Sequence, residues 1–249
     1  MSLVVYKIIA SLVIFIISLA VIYPLQKKHL SKHTESIDLG EALASGLFLG
    51  AAFFHLLPDA IQSFQIVYGN SAYPIPEAIC IGSFLLFLFL ERFSLIHSYN
   101  HSISYVVGMI LVIHALVEGM ALGMGPTFSE TILLLIAIIA HKGSESFALG
   151  IILLKRQLPI KQITRMIFYF ALMTPIGIAG GSALNQFGST DYGNITTVIF
   201  NAFAAGTFLY ISTLHHIHLH QHTKEARNML SFSCFAIGLI SMGVLAIWV

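Results

Sequence analysis

The sequence consists mainly of long apolar segments, each about the length that crosses a lipid bilayer. Hydrophobic residues make up 57% of the 249 residues and charged residues only 9%, whereas soluble domains carry roughly 25% charged residues. A helix of about 20 apolar residues spans the hydrocarbon core of a membrane. Short polar segments separate eight such runs, near residues 3–25, 40–65, 77–96, 102–125, 129–154, 166–188, 194–217 and 230–249. The sequence therefore predicts an all-α, polytopic membrane bundle of eight transmembrane helices. Residues 1–249 are expected to form this one membrane domain, without a separate soluble domain.

The positive charges predict how this bundle lies in the membrane. Of the 12 lysines and arginines, ten fall in or beside the loops after spans 1, 3, 5 and 7, and none falls in the other loops. Cytoplasmic loops are enriched in these residues, so both termini are predicted to lie outside. The predicted outer loops contain the acidic residues Glu77, Glu130 and Asp191 and no lysine or arginine. This negative charge favours the approach of cations from the outer side. The near-neutral net charge of +1 gives no indication of a nucleic-acid partner.

Glycines four residues apart predict close contacts between helices, because small residues let the backbones of membrane helices approach one another. Two prolines, Pro58 and Pro175, fall inside spans 2 and 6, where a freed carbonyl is tolerated if it faces protein or a water-filled cavity. The glycine pairs are Gly46/Gly50, Gly119/Gly123 and Gly177/Gly181.

Two similar motifs occur in neighbouring spans. HALVEGMALG begins at residue 114 in span 4, and HKGSESFALG begins at residue 141 in span 5. Each contains a His, a Glu four residues later and a Gly five residues after that. Residues four apart share one helix face, and a short turn makes the two spans antiparallel neighbours. We therefore expect His114, Glu118, His141 and Glu145 to converge near the middle of the membrane.

A carboxylate at that depth costs about 2.5–3.5 kcal/mol on insertion scales, so intramembrane acids indicate function. Two imidazoles and two carboxylates suit a borderline divalent metal such as Zn²⁺. The alternative is structural, with each His-Glu pair forming a polar clip between helices. The repetition of one spacing on neighbouring helices favours the metal.

Further histidines on either side of this mid-membrane site predict a path for the metal across the membrane. His55 and Asp59 in span 2 are again four residues apart, and they are either metal ligands or a structural hydrogen bond. At the inner end of span 7, the tract LHHIHLHQH contains His215 and His216. A His-rich tract there is typical of transient metal binding, although a solvated loop without a role is the alternative.

These motifs make the chain resemble the ZIP (Zrt/Irt-like) family of divalent metal transporters over nearly its whole length. The family signature H-[S/N]-x-x-E-G-x-x-x-G is matched at His114, Glu118, Gly119 and Gly123, with Ala115 as a departure. HKGSESFALG, GLFLGAAFFHLLPDA, TPIGIAGG and AAGTFLY are also similar to family segments. The resemblance implies eight membrane helices with both termini outside.

The resemblance also implies a ligand set. The principal site would use His114, Glu118 and Glu145, with His141 as a fourth ligand. The positions of the family's second metal site correspond to Ala115, Lys142 and Thr174, none of which can hold a cation as the family's ligands do. A single metal is therefore expected, with the Lys142 ammonium in or near the vacated place. The alternative for Lys142, an ion pair with Glu145 or Glu118, is compatible with that role.

The chain departs from the family pattern at two further positions. Phe48 stands where some members have a soft side chain. His215 stands where many members have a glutamate, which leaves the exit ligands open.

The predicted function is import of Zn²⁺ into the cytoplasm, past Asp59 and His55, through the mid-membrane site, and out toward His215 and His216. Fe²⁺, Mn²⁺, Co²⁺ and Cd²⁺ remain alternative substrates, because the same ligands accept them. A multi-pass protein of the inner cell membrane, embedded in the lipid bilayer, is expected, and homodimerisation is left open. The chain is not expected to be an enzyme.

Three other functions were considered for the same residues. A membrane-embedded zinc hydrolase would use the His/Glu cluster to activate water, but the sequence contains no HExxH motif. A bis-histidine haem protein would not need the glutamates beside each histidine. A purely structural bundle would not need intramembrane acids.

Overall fold

A computed structural model describes residues 3–26, 34–69, 73–97, 102–125, 127–155, 158–187, 190–219 and 225–247. The regular structure of these residues is helical, and they contain no strand. Helix α1 is Leu3–Ala20, followed by a short helix at Ile22–Gln26. Helix α2 comprises Thr34–Ala51, a π-helical turn at Ala52–Leu56, and Leu57–Tyr68. The remaining helices are α3 (Ile75–His97), α4 (Ser102–Met124), α5 (Phe128–Lys155), α6 (Ile160–Phe187), α7 (Thr190–Leu219) and α8 (Glu225–Leu245).

The prediction of an all-helical fold is confirmed, and each predicted span coincides with one of these eight long helices. Several helices begin before the apolar run does, such as α2 at Thr34 and α6 at Ile160. Hydropathy marks only the part of a helix that suits hydrocarbon. The backbone hydrogen bonds of a helix continue through polar residues such as Lys161 and Gln162.

Four helical segments in the described residues are long and apolar enough to cross a membrane by length and composition. They are Leu3–Ala20, Ile37–Tyr68, Thr131–Ile151 and Ile160–Leu184. Shorter apolar helical segments lie at Gly108–Met124, Val198–Thr213 and Met229–Leu245. The composition and these segments describe a multi-pass membrane protein.

The eight helices pack as two groups of four. In the first helix group, α4 packs along α6, and α1 packs on both α5 and α6. In the second helix group, α2 packs along α7 and α8, and α3 packs along α7. Contacts of α4 with α7 and of α2 with α5 join the groups.

Glycines bring helix backbones into direct contact within each group, as the spacing of small residues predicts. A methyl group on Gly119 or Gly123 would collide with backbone carbonyls of α6, and one on Gly177 or Gly181 would collide with backbone carbonyls of α4. In the second helix group, Gly46 packs in the same way against the backbone of α8. The closest backbone approaches through these paired glycines therefore lie inside the groups and make each group compact.

The α4–α6 contact makes a prediction about stability. Replacement of Gly181 by Ala should lower the thermal midpoint of the purified protein in detergent. The added methyl meets the backbone of Met120, and overpacking costs typically about 1–3 kcal/mol. Gly180 is the matched control, because a methyl group there has nothing within 4 Å and Ala favours a helix by about 1 kcal/mol. Equal midpoints for Gly181→Ala and Gly180→Ala would contradict the packing described here.

Candidate metal centre

Helices α4 and α5 bring four polar side chains to one buried point. The exposed fractions are 1% for His114, 6% for Glu118, 1% for His141 and 0% for Glu145. One potential ligand atom from each residue lies within 4.8 Å of all the others. This convergence is the one expected from the His-Glu spacing on antiparallel neighbours. A role for the four residues as metal ligands stays a prediction.

The contacts inside this cluster leave some of its atoms without a hydrogen bond. His141 Nε2 lies 2.6 Å from Glu118 Oε1 and 3.4 Å from Glu145 Oε1. His114 Nε2 lies 3.3 Å from Glu145 Oε1, and neither of these two buried atoms has a hydrogen-bond partner. Buried polar atoms are normally paired, and an unpaired one costs about 1–3 kcal/mol. A cation between these oxygens and nitrogens would satisfy them.

Helix α7 fixes the orientation of one imidazole. His114 Nδ1 lies 2.9 Å from Thr207 Oγ1, and the Thr207 hydroxyl donates to the Ala204 carbonyl at 2.6 Å. The threonine oxygen is thus left to accept, so Nδ1 of His114 carries the proton. The lone pair of His114 is then on Nε2, which faces the cluster. An imidazole that bonds through its second nitrogen in this way is typical of metal-ligating histidines.

Aromatic packing holds the same imidazoles from one side. The ring of Phe208 lies 4.0 Å from that of His114 and 5.4 Å from that of His141, measured between ring centroids. Phe48 packs behind Phe208 at 5.1 Å. Phe48 stands where some family members have a soft, metal-binding side chain. Here it is almost fully buried in this aromatic contact and does not face water.

Lys142 lies fully buried beside the cluster and neutralises part of its charge. Its ammonium donates to Glu118 Oε2 at 2.7 Å and to Glu145 Oε2 at 2.8 Å. Its Nζ also lies 4.6 Å from the centroid of the Phe170 ring, which is a cation–π contact. The ion pair with Glu145 or Glu118, considered from the sequence, is present with both. The other two second-site positions, Ala115 and Thr174, are fully buried as well.

The His55–Asp59 pair lies where helix α2 changes its winding. His55 belongs to the π-helical turn, and Pro58 follows it. Proline has no N–H to donate, and its ring clashes with the carbonyl four residues earlier, so the regular bonding pattern is interrupted there. His55 Nδ1 lies 3.1 Å from Asp59 Oδ2. His55 is 5% exposed, and its Nε2 has no hydrogen-bond partner.

A narrow cavity connects His55 with the cluster. It has about 10 Å³ open to the centre of a water molecule, which is room for about one water. Glu118 and His141 lie at its wall, together with Asn201 of α7.

The cavity and the imidazole orientation depend on residues that sequence reasoning did not single out. No motif in the sequence assigns a role to Asn201, and Thr207 and Phe208 stand out only as part of the segment AAGTFLY. Their functional neighbours are about 60–90 positions earlier in the chain, and no local pattern predicts that contact.

The predicted inner ligands cannot be located. Only the backbone of His215 and His216 is described, in the last turns of α7. Their side chains lie outside the described part of the structure, as do residues 220–224 entirely. The predicted exit ligands therefore remain an expectation from the sequence.

Comparisons with known proteins agree with this architecture. The family model described as "ZIP Zinc transporter" matches residues 2–104 and 96–246. The human protein "Zinc transporter ZIP2" is 27% identical over 269 residues, covering 87% of each chain. "Zinc transporter ZIP1" of Takifugu rubripes is 25% identical over 261 residues, covering 86% of each chain. Because the family model matches nearly its whole length, the chain belongs to the ZIP family, and it is a membrane metal transporter and not an enzyme.

Proposed function

We propose that the protein carries Zn²⁺ into the cytoplasm through a site formed by His114, Glu118, His141 and Glu145. The observation that carries this proposal is the convergence of four buried potential ligands on two neighbouring helices, with His114 Nε2 and Glu145 Oε1 lacking a hydrogen-bond partner. Two nitrogens and two carboxylate oxygens match the ligand preference of Zn²⁺. The two relatives named above are both called zinc transporters, which supports zinc as the substrate. Fe²⁺, Mn²⁺, Co²⁺ and Cd²⁺ are the alternatives.

In this proposal all eight helices cross the membrane as one domain, with both termini outside. The distribution of lysine and arginine supports that orientation, since the cytoplasmic side is enriched in them. Lys161 and Arg165 of α6 are exposed and belong to the predicted inner side.

The proposed path begins at Asp59, whose side chain is 35% exposed. The metal passes from there to the buried His55 and through the narrow cavity to the cluster. His215 and His216 would receive it at the inner end of α7. A stepwise increase in burial along this path supports removal of water from the ion in stages.

Alternating access is proposed to arise from movement between the two helix groups. All four proposed ligands belong to α4 and α5 of the first helix group. Thr207, Phe208 and His55, which contact or approach the cluster, belong to the second helix group. Because glycine contacts make each group compact, a movement between groups would carry the ligands past a fixed wall.

A single metal is proposed, because Lys142 is bonded to the two glutamates where a second cation would need ligands. A second divalent ion beside a buried ammonium would be strongly repelled, since charges interact strongly in an environment of low dielectric constant.

Uptake by reconstituted vesicles tests the transport proposal directly. Vesicles with the purified wild-type protein should accumulate radiolabelled zinc with saturation. His114→Ala and Glu118→Ala should reduce uptake to the level of empty vesicles, because each removes one proposed ligand. His97→Ala, at the last residue of α3, is the histidine control and should transport normally. Zinc bound stoichiometrically without flux, in leak-tested vesicles, would contradict the proposed transport of zinc through this site.

Labelling of single cysteines tests the orientation. In a protein with Cys80 and Cys234 replaced by Ala, Lys161→Cys should react with a membrane-impermeant thiol reagent only from the cytoplasmic side. Ser129→Cys should react only from the outer side. Both positions are exposed, so a failure to react cannot be attributed to burial in the protein. Labelling of both from one side would contradict the proposed topology.

The Thr207 hydrogen bond makes a prediction about affinity. Thr207→Val should raise KM for zinc about 10–100-fold, the usual effect of losing a partner of a metal-ligating histidine. Thr207→Ser keeps the hydroxyl and should restore KM. Thr213→Val removes a hydroxyl that donates to the Tyr210 carbonyl and serves as the control on the same helix. If Ser and Val behave alike at position 207, the hydroxyl does not position His114.

A further inference from the structure

In each glutamate of the cluster, the two carboxylate oxygens contact different groups. Lys142 binds one oxygen of each, Glu118 Oε2 at 2.7 Å and Glu145 Oε2 at 2.8 Å. The other oxygens, both Oε1, face the imidazoles at 2.6 Å for Glu118 and 3.3 Å for Glu145. Only one oxygen of each glutamate is therefore turned toward the proposed metal position.

Lys142 holds this arrangement firmly. Its side chain is 0% exposed, so the ammonium is shielded from solvent where it meets the carboxylates. Lys142 and Glu145 are three residues apart on α5, so one helix fixes their relative position. The Phe170 ring covers the ammonium at 4.6 Å. Releasing either Oε2 would remove one of the two carboxylate partners of a buried ammonium, which is unfavourable.

We infer that Lys142 limits the transported ion to four single-atom ligands and thereby selects Zn²⁺ over ions that require more oxygen ligands. The inference rests on the proposed transport function and concerns the same site. Zn²⁺ is satisfied by four ligands in a tetrahedron. Mn²⁺ prefers octahedral coordination by oxygen, for which bidentate carboxylates are a common source of ligands. Because the ammonium occupies both Oε2 atoms, the cluster cannot supply those additional oxygens.

The effect on selectivity can be separated from the effect of charge. Removing the ammonium makes the cluster more negative and strengthens the binding of every divalent ion. That gain is similar for Zn²⁺ and Mn²⁺, which carry the same charge, and it largely cancels from the ratio of their dissociation constants. A change in the ratio therefore reports the number of available ligand atoms.

The experiment compares Lys142→Gln with the wild type in purified protein, with competition between Zn²⁺ and Mn²⁺ as the measurement. Lys7→Gln is the matched control. Lys7 is also buried but donates to the Gly123 and Gly125 carbonyls at the outer end of α4. We expect the preference for Zn²⁺ over Mn²⁺ to fall at least about tenfold in Lys142→Gln. The preference should be unchanged in Lys7→Gln.

Cobalt provides a spectroscopic readout that a purely structural role of Lys142 would not change. Four-coordinate Co²⁺ absorbs visible light strongly, and six-coordinate Co²⁺ absorbs weakly. Wild-type protein loaded with Co²⁺ should give the strong spectrum, and Lys142→Gln should give a weaker one per bound ion. If Lys142→Gln does not fold, the wild-type spectrum still decides, because a weak six-coordinate spectrum would overturn the inference.

The outcomes separate this inference from the transport proposal. If wild-type vesicles take up zinc, but Lys142→Gln keeps both the wild-type metal preference and the Co²⁺ spectrum, the inference is wrong and transport stands. If the wild-type protein neither binds nor transports zinc, both are wrong. A lowered preference together with a weaker Co²⁺ spectrum in Lys142→Gln alone is the result that supports the inference.

Discussion

The compensation of two buried carboxylates is the constraint on which the rest of this site depends. Glu118 and Glu145 lie in the apolar interior, where an uncompensated charge is strongly unfavourable. Lys142 neutralises one of the two negative charges. The imidazoles of His141 and His114 face the remaining carboxylate oxygens. In the proposed function a divalent cation would compensate the charge that Lys142 leaves, and its release would return the carboxylates to these imidazoles and to Lys142.

The same cluster explains why the helices are divided into two groups. The charged side chains belong to α4 and α5, and they are bonded mainly to one another. Their contacts with the second helix group are a hydrogen bond to Thr207 and ring packing on Phe208. One hydrogen bond and aromatic contacts are more easily exchanged than the glycine-mediated backbone contacts inside each group. In the proposed mechanism, the interactions that persist are therefore within a group, and those that change lie between the groups.

The sequence predicted much of this arrangement because it depends on helix periodicity. His114 and Glu118 must share a face, and the short turn before α5 brings His141 and Glu145 to the same depth. Lys142 was expected near the glutamates because the family resemblance places a second metal site at its position. Thr207 and Asn201 could not be predicted in this way, because the rotation of α7 against α4 depends on packing between residues distant in the chain. The helix ends were missed where polar residues extend a helix beyond its apolar run, as at Thr34.

The π-helical turn in α2 gives the proposed outer path its form. In a regular α-helix every backbone N–H and C=O would be hydrogen-bonded within the helix, and His55 and Asp59 would simply be neighbours one turn apart on its surface. The bonding change before Pro58 instead includes His55, which lines the cavity leading to Glu118 and whose Nε2 has no hydrogen-bond partner. π-Helical turns often occur at functional sites. Asp59 contacts His55 through Nδ1, and this leaves Nε2 available for another partner. The carboxylate of Asp59 thus has two roles in the proposed path: it attracts the cation at the half-exposed end, and it orients the imidazole that receives the cation next.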